Sequence, residues 1–435
     1  MNTQNQRIQK ISRYSAVFLI FLLTVTPTAW LPGQIEGAAP IAPIYSPEAN
    51  YEVRQVADIY QGDRSSHPSE FTVLDGRLYF RADDGFSGQE LWMHDPSVPT
   101  TTLVVDIRPG KEGSNPSYIT AMDGRLYFRA NDGRSGEELW MYDPAAQTAS
   151  LTTDISPDNG GSYPSNMTVV DGLLYFSAYD DSHGYELWAY DPARPATTLV
   201  ADITPGGFSS YPANLTELNG RLFFMAAQGG GANFELWAYD PATESTTLVE
   251  EIMWGSNGSF PYDLTALNGR LYFSASDTIP NRNIFEFDPA GPVTTKVSGY
   301  QGGHRSLPRY LTLLDGRLYF GGGSDGSNIE LWVYDPVLPS ATLVTTFLHE
   351  SEFAILDDII ALSGRLFMII GDRAGELKLW MYDPETVSSR LVADLRSDIY
   401  TFPSHLTVLD DKLYFVGSDD IAGSELWVME QLLPD

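Results

Sequence analysis

LDGRLYF at 74–80 decides the fold. It returns as MDGRLYF at 122–128, VDGLLYF at 170–176, LNGRLFF at 218–224, LNGRLYF at 267–273, LDGRLYF at 314–320, LSGRLFM at 362–368 and LDDKLYF at 409–415. The start-to-start spacings are 48, 48, 48, 49, 47, 48 and 47 residues, so one supersecondary unit is copied eight times. Working outward, each copy is followed by an ELWMYDP-like run, as at 90–96 and 138–144, and then by a β-branched run such as TTLVVDI at 101–107. Each unit therefore reads as four strands: strand a ahead of the Asp-Gly step, strand b on GRLYF, strand c on ELWxY, strand d on TTLVxDI. Asp-Gly and Asn-Gly tolerate the positive φ of a type I′ turn and mark the a–b hairpin. Strands b and c are apolar on both faces, as sheets covered on both sides are.

Counting strands predicts closure. The eighth unit has no strand d, because the chain ends at Asp435 without a TTLV run, while an unpaired d-like segment, YEVRQVADI at 51–59, precedes the first unit. The expected fold is all-β: an eight-bladed β-propeller of four-stranded antiparallel blades, closed by placing 51–59 beside strand c around Leu426 and so removing a free sheet edge. The predicted organisation is a signal peptide or N-terminal anchor over 1–32, a linker over 33–50 and the propeller over 51–435. Arg7, Lys10 and Arg13 precede a mostly apolar run at 14–25 that is short for a membrane span. The expected location is secreted or cell-surface, with no membrane insertion beyond that segment and a monomeric state.

Composition narrows the partners. A formal net charge of -31 repels nucleic-acid phosphates, so nucleic acid is not an expected partner. The absence of cysteine removes disulfides and thiolate metal sites.

The combination of ELWxYDP, TxLVxDI, PGxxGSxP and NGxLYF resembles the ELWxxDGT-type (hyalin-like) repeats of large secreted bacterial proteins, over residues 51–430. Asp-Pro here replaces the DGT step. GRLYFGGGSDGSNIELWVYDP at 316–336 is also similar to a kelch blade. Both resemblances imply a propeller, and neither implies one activity. A-x-D-x-x-S-G-x-E-x-W at 82–92 and 130–140 resembles the tryptophan-docking motif of quinoprotein dehydrogenases, but it falls on the b–c turn, and the adjacent cysteines typical of those enzymes are absent.

Repeating residues read as scaffold. Trp92, Trp140, Trp188, Trp237, Trp332, Trp380 and Trp427 are expected to pack between blades. Arg77 should meet Asp95, and Arg125 should meet Asp143, because a b–c hairpin brings those strand ends together; blade three has Leu173 and should lack the pair. The b–c turn ADDGFSGQE at 82–90 is a poor EF-hand match and reads as a hairpin turn, with Ca²⁺ at Asp83, Asp84 and a neighbouring loop, or at the equivalent Asp132, as the alternative. No HExxH pair is present, no G-x-S-x-G elbow falls at a strand-to-helix step, and His67, His94, His183, His304, His349 and His405 are scattered.

Function is expected on the face of the d–a and b–c loops, where the repeat varies. Tyr163, Tyr211 and Phe260 occupy one variable position ahead of strand a, and Trp254 replaces a proline on a d–a loop; the alternative is that these rings pack the loops onto the blades. The leading expectation is a non-enzymatic extracellular binding or adhesion propeller contacting carbohydrate or protein. The alternative is an extracellular enzyme, a glycan lyase or hydrolase or a quinoprotein. Converging Asp, His and Arg at the channel mouth would favour the enzyme; Thr and apolar groups alone would favour binding.

Overall fold

The computed structural model describes residues 51–157, 160–255, 257–279, 281–300, 308–323, 329–347, 354–372, 376–396, 406–418 and 423–432, together with Ile44–Tyr45. The chain divides into two units, Met1–Gln34 and Ile35–Asp435. The expected signal or anchor at 1–32 lies outside the described residues, as does the linker at 33–50 apart from Ile44–Tyr45. Among the described residues there is no helix, and none that could cross a membrane.

The second unit is an eight-bladed β-propeller. Seven blades run in chain order a-b-c-d; blade one is Ser69–Leu74, Arg77–Asp83, Gln89–Asp95 and Thr100–Val105. Blade eight takes its strands a to c from Thr407–Leu409, Lys412–Gly417 and Glu425–Gln431, and its strand d from Tyr51–Ala57. Tyr51 pairs with Gln431, Val53 with Met429 and Ala57 with Leu426, which is the closure expected for 51–59. The short strand Ile44–Tyr45 adds to its outer edge, against Val53 and Glu52, within the segment expected to be a linker.

The a–b turns form as the Asp-Gly steps require. Asp75 has φ 50° and Gly76 has φ 71°. Blade eight is the exception in chemistry but not in shape, since Asp410 and Asp411 both hold positive φ without a glycine.

Apolar burial is between blades rather than within them. The eight core clusters among the described residues each join two adjacent blades. Leu78, Phe80 and Trp92 of blade one pack on Leu409, Tyr414 and Leu426 of blade eight, while Tyr79 and Leu91 face Leu126 and Phe128 of blade two. An aromatic pair marks the same place at successive interfaces: Tyr79–Tyr142 at 6.2 Å, Tyr127–Tyr190 at 5.5 Å and Tyr175–Tyr239 at 5.7 Å between ring centres. Such pairs add about 0.5–1.5 kcal/mol each to the area they bury.

The Arg–Asp pairs occur as expected. Arg77 meets Asp95 at 2.8 Å, Arg125 meets Asp143 at 3.0 Å and Arg317 meets Asp335 at 3.0 Å. Blade eight substitutes Lys412–Glu430 at 2.6 Å, and in blade three Asp191 turns to Arg194 at 4.0 Å.

The glutamate of ELW has a role the sequence reading left unassigned. Glu90 is fully buried and accepts the backbone N–H groups of Ile107 (3.3 Å), Arg108 (3.1 Å) and Ser114 (2.7 Å). Glu138, Glu186 and Glu235 repeat this with Ser162, Ser210 and Ser259, so the glutamate and the serine of GSxP together fold each d–a loop. Four lone-pair directions on one carboxylate satisfy backbone donors that would otherwise be stranded in the interior. Blades five and seven carry Asn283 and Lys378 at this position.

Candidate functional site at the channel mouth

Strand a lines the central channel, and it carries a bulge. The register slips between Ser69 and Thr72, and Glu70 adopts φ 61°. The same slip puts Tyr118, Asn166, Asn214, Asp263 and Tyr310 at positive φ in blades two to six. Strand a of blade one begins at Ser69, and the bulge residue just inside that start is what the channel presents.

Bulge side chains stitch the ring in alternate blades. Glu70 accepts the Tyr118 N–H at 2.6 Å, Asn166 accepts that of Asn214 at 3.2 Å, and Asp263 accepts that of Tyr310 at 2.7 Å. Asp358 accepts the Leu406 N–H at 2.8 Å. Two residues on, Thr72, Thr168, Thr216, Thr265 and Thr312 donate their hydroxyls to strand-a carbonyls of the next blade. Three of the channel's carboxylates thus already serve backbone amides.

A cavity of about 420 Å³ opens at blades four to six, lined by Met225, Phe260, Tyr262, Asp263, Arg282 and Arg309 among others. Arg282 comes from strand c of blade five. Its Nε donates to Ser274 Oγ at 3.2 Å, and its Nη2 donates to the carbonyls of Phe260 at 2.5 Å and Ser274 at 3.0 Å. Arg309 comes from strand a of blade six, where its backbone pairs with Gly321, and its guanidinium makes no hydrogen bond or ion pair with a described residue. Burial and the charge of Arg309 both lower the Arg282 pKa. Burial raises the Asp263 carboxyl, against the opposing pull of the Tyr310 N–H and the two guanidiniums. Burial also raises the Tyr310 phenol. Beyond it, burial and then the adjacent Asp358 push Asp357 up to about 6.

Of the four residues expected to bind ligand, Phe260 alone lines this cavity. Tyr163, Tyr211 and Phe260 hold φ near 50° and remain 40%, 51% and 38% exposed. The Tyr211 ring stacks on Tyr185 at 5.3 Å and Phe260 lies on Phe234 at 5.2 Å, so these rings do fasten loops to the preceding blade. Trp254 is 84% exposed on its d–a loop, and nothing brings it to the others. Leu307 and Phe402, the same position in later copies, lie outside the described residues.

The carboxylates considered for Ca²⁺ are engaged in their own turns. Asp83 Oδ1 accepts the Gly85 N–H at 2.6 Å, and Asp84 Oδ1 accepts those of Phe86 and Ser87 at 2.8 and 2.7 Å. Asp132 repeats the pattern one blade on, with Arg134 and Ser135. Among the described residues no three His, Cys, Asp or Glu converge as a metal site.

Arg282, Arg309, Asp263, Tyr262 and Tyr310 were missed in the sequence. The available signal was the sequence position four residues before each heptapeptide, which is polar or aromatic in all eight copies: Glu70, Tyr118, Asn166, Asn214, Asp263, Tyr310, Asp358 and His405.

No protein-family model and no curated protein matches the sequence. Solved structures do match in fold. A prolyl endopeptidase structure aligns with TM-score 0.54 and 14% identity, over 83% of this chain and 55% of that one. A puromycin hydrolase aligns with TM-score 0.54 and 12% identity, over 88% and 62%. The chain therefore spans little more than half the length of those two proteins. An oligogalacturonate lyase in complex with manganese aligns with TM-score 0.51 and 13% identity, over 92% of this chain and 99% of that one. At such identities the likeness is one of fold.

Proposed function

We propose that this propeller, in an exported protein of the ELWxxDGT repeat type, binds a carboxylate-bearing carbohydrate at the channel mouth of blades four to six. The carrying observation is the pairing in one cavity of Arg282 and Arg309 with the exposed faces of Tyr262 and Phe260. Guanidinium forks suit carboxylates, and aromatic faces suit the apolar faces of sugar rings. Neither guanidinium lies within ion-pairing distance of a described carboxylate, so each keeps donors for a ligand.

A second reading is cleavage of such a sugar. It draws on Asp263, whose carboxyl is held toward its protonated form beside Tyr310 and two arginines, and on the convergence of Asp and Arg at the channel mouth. Calorimetric titration with galacturonic acid oligomers, against their methyl esters, tests the binding reading. Binding of the acids and not the esters, lost in Arg282→Gln/Arg309→Gln, is the expected result; equal binding of both would sink it. Release of new reducing or unsaturated ends, abolished in Asp263→Asn, would favour the enzyme.

A further inference from the structure

We propose that Arg81 and Arg129 form a second anion subsite across the channel, so that the ligand is an oligosaccharide with carboxylates on separate residues rather than one charged sugar. This deepens the reading of the Arg282–Arg309 cavity and rests on it.

Three of the four arginines are anchored alike. Arg81 Nε donates to Ser69 Oγ at 3.0 Å and Arg129 Nε donates to Ser117 Oγ at 2.9 Å, as Arg282 Nε does to Ser274 Oγ. Arg81 and Arg129 project from strand b, immediately after GRLYF. Blade five has Ser274 at that position, and Arg282 reaches it from strand c. Three guanidiniums therefore stand at one level of the ring, each anchored through Nε. The terminal nitrogens of Arg81 make no hydrogen bond or ion pair among the described residues.

Their spacing around the ring is specific. The pairs belong to blades one and two and to blades five and six. With eight blades, one faces five and two faces six. At the equivalent of Arg81, blades three, four, six, seven and eight carry Ser177, Met225, Gly321, Ile369 and Val416. At this position the positive charge is confined to blades one and two, and Arg282 and Arg309 bring it to the opposite sector from strands c and a.

The charge is only partly balanced locally: Glu70 and Glu137 favour the charged form of Arg81, and Asp263 that of Arg282. Glu70, Asp263 and Asp358 each serve a backbone amide of the following blade. Among the described residues, only Glu137 ion-pairs with one of the four arginines, Arg129 at 3.1 Å. Like charges are also held close, since Arg129 opposes protonation of Arg81 and Arg309 opposes that of Arg282. Half-buried guanidiniums such as Arg81, Arg129 and Arg282 are costly beside a like charge unless an anion joins them. A chain with 26 basic and 57 acidic residues nonetheless places four arginines here.

Aromatic faces accompany both pairs, which favours a sugar over an acidic peptide. The Arg129 guanidinium lies 5.2 Å from the Tyr118 ring centre, and that ring is 39% exposed; Tyr262, beside the other pair, is 50% exposed.

The test compares galacturonic acid monomer and hexamer by calorimetry. It uses the unsubstituted protein, Arg81→Gln/Arg129→Gln and Arg282→Gln/Arg309→Gln, each checked for an unchanged circular dichroism spectrum. Two linked contacts predict a hexamer bound about 100-fold more tightly than the monomer, with that ratio falling below about fivefold in either variant. If Arg81→Gln/Arg129→Gln leaves hexamer affinity within about twofold while the other variant abolishes it, the second subsite is overturned and the cavity reading stands. If the unsubstituted protein binds neither sugar, both fall together. Hexaglutamate bound as tightly as the hexamer would overturn the carbohydrate assignment.

Discussion

Glu425 accepts the hydroxyl of Ser66 at 2.6 Å, across 359 residues of sequence. The same carboxylate accepts the N–H groups of Ile59 (3.0 Å), Tyr60 (3.3 Å) and Ser66 (3.1 Å). In blades one to four the ELW glutamate holds the serine 24 residues ahead of it, so the two ends of the propeller reproduce a contact that is elsewhere local. Closure therefore has two parts, the pairing of Tyr51–Ala57 with Glu425–Gln431 and this clasp.

The clasp predicts a pH effect. Burial pushes the Glu425 carboxyl up to about 8 despite its four donors. A carboxyl raised in the folded state favours the protonated protein. Its contribution is full below about pH 4, the unfolded value, and is lost as pH rises through about 8. Glu186 is raised in the same way, to about 7, so the whole protein should lose stability over this range. Glu425→Gln, which cannot ionise, should show a smaller fall in Tm between pH 5 and pH 9 than the unsubstituted chain. Equal falls in the two proteins would contradict the assignment.

His94 predicts the opposite sign. It occupies the strand-c position held by Tyr142, Tyr190 and Tyr239 in other blades, 5.6 Å from the Tyr414 ring. Burial lowers its pKa to about 4. An imidazole depressed in the folded state contributes stability above about pH 6.5, which is lost as pH falls toward 4. His94→Tyr should therefore raise Tm more at pH 5 than at pH 8. Thermal melts at the two pH values read this directly, and a uniform shift would rule out the titration.

Much of the fold was legible because its signals are local and repeated. The Asp-Gly turns, the Arg77–Asp95 and Arg125–Asp143 pairs, and the orphan strand at 51–59 each follow from comparing copies. The channel site was not legible, for two physical reasons. A bulge in strand a turns Glu70 and its equivalents toward the channel, and neither period-2 alternation nor composition announces a bulge. Arg282 also reaches the place of Arg81 from a different strand, so aligned copies show Ser274 there and conceal the guanidinium. The exposed aromatics drew attention because they vary, yet Tyr211 and Phe260 vary while packing on Tyr185 and Phe234.

Blade eight offers a stabilising change. Asp411 holds φ 57° where the other a–b turns have glycine, as at Gly76 with φ 71°. A non-glycine residue in the left-handed region crowds its own backbone. Asp411→Gly should stabilise the closing blade by about 0.5–1 kcal/mol, read as a higher urea midpoint with an unchanged slope. A lower midpoint would mean that the Asp411 side chain contributes more than the turn strain costs.

Trp254 separates the channel from the rim as the place of binding. Its side chain is 84% exposed and lines no part of the cavity, whereas Phe260 lines it and packs on Phe234. Removing a solvated ring should change stability by less than about 0.5 kcal/mol. Removing Phe260 should cost about 1–3 kcal/mol, since half of a large apolar side chain is covered. With hexagalacturonate as the probe, Trp254→Ala should leave the Kd within about twofold, and Phe260→Ala should weaken it by tenfold or more, about 1.4 kcal/mol. The reverse ranking, with Trp254→Ala the damaging change, would move the binding surface from the channel mouth to the d–a loops of the rim.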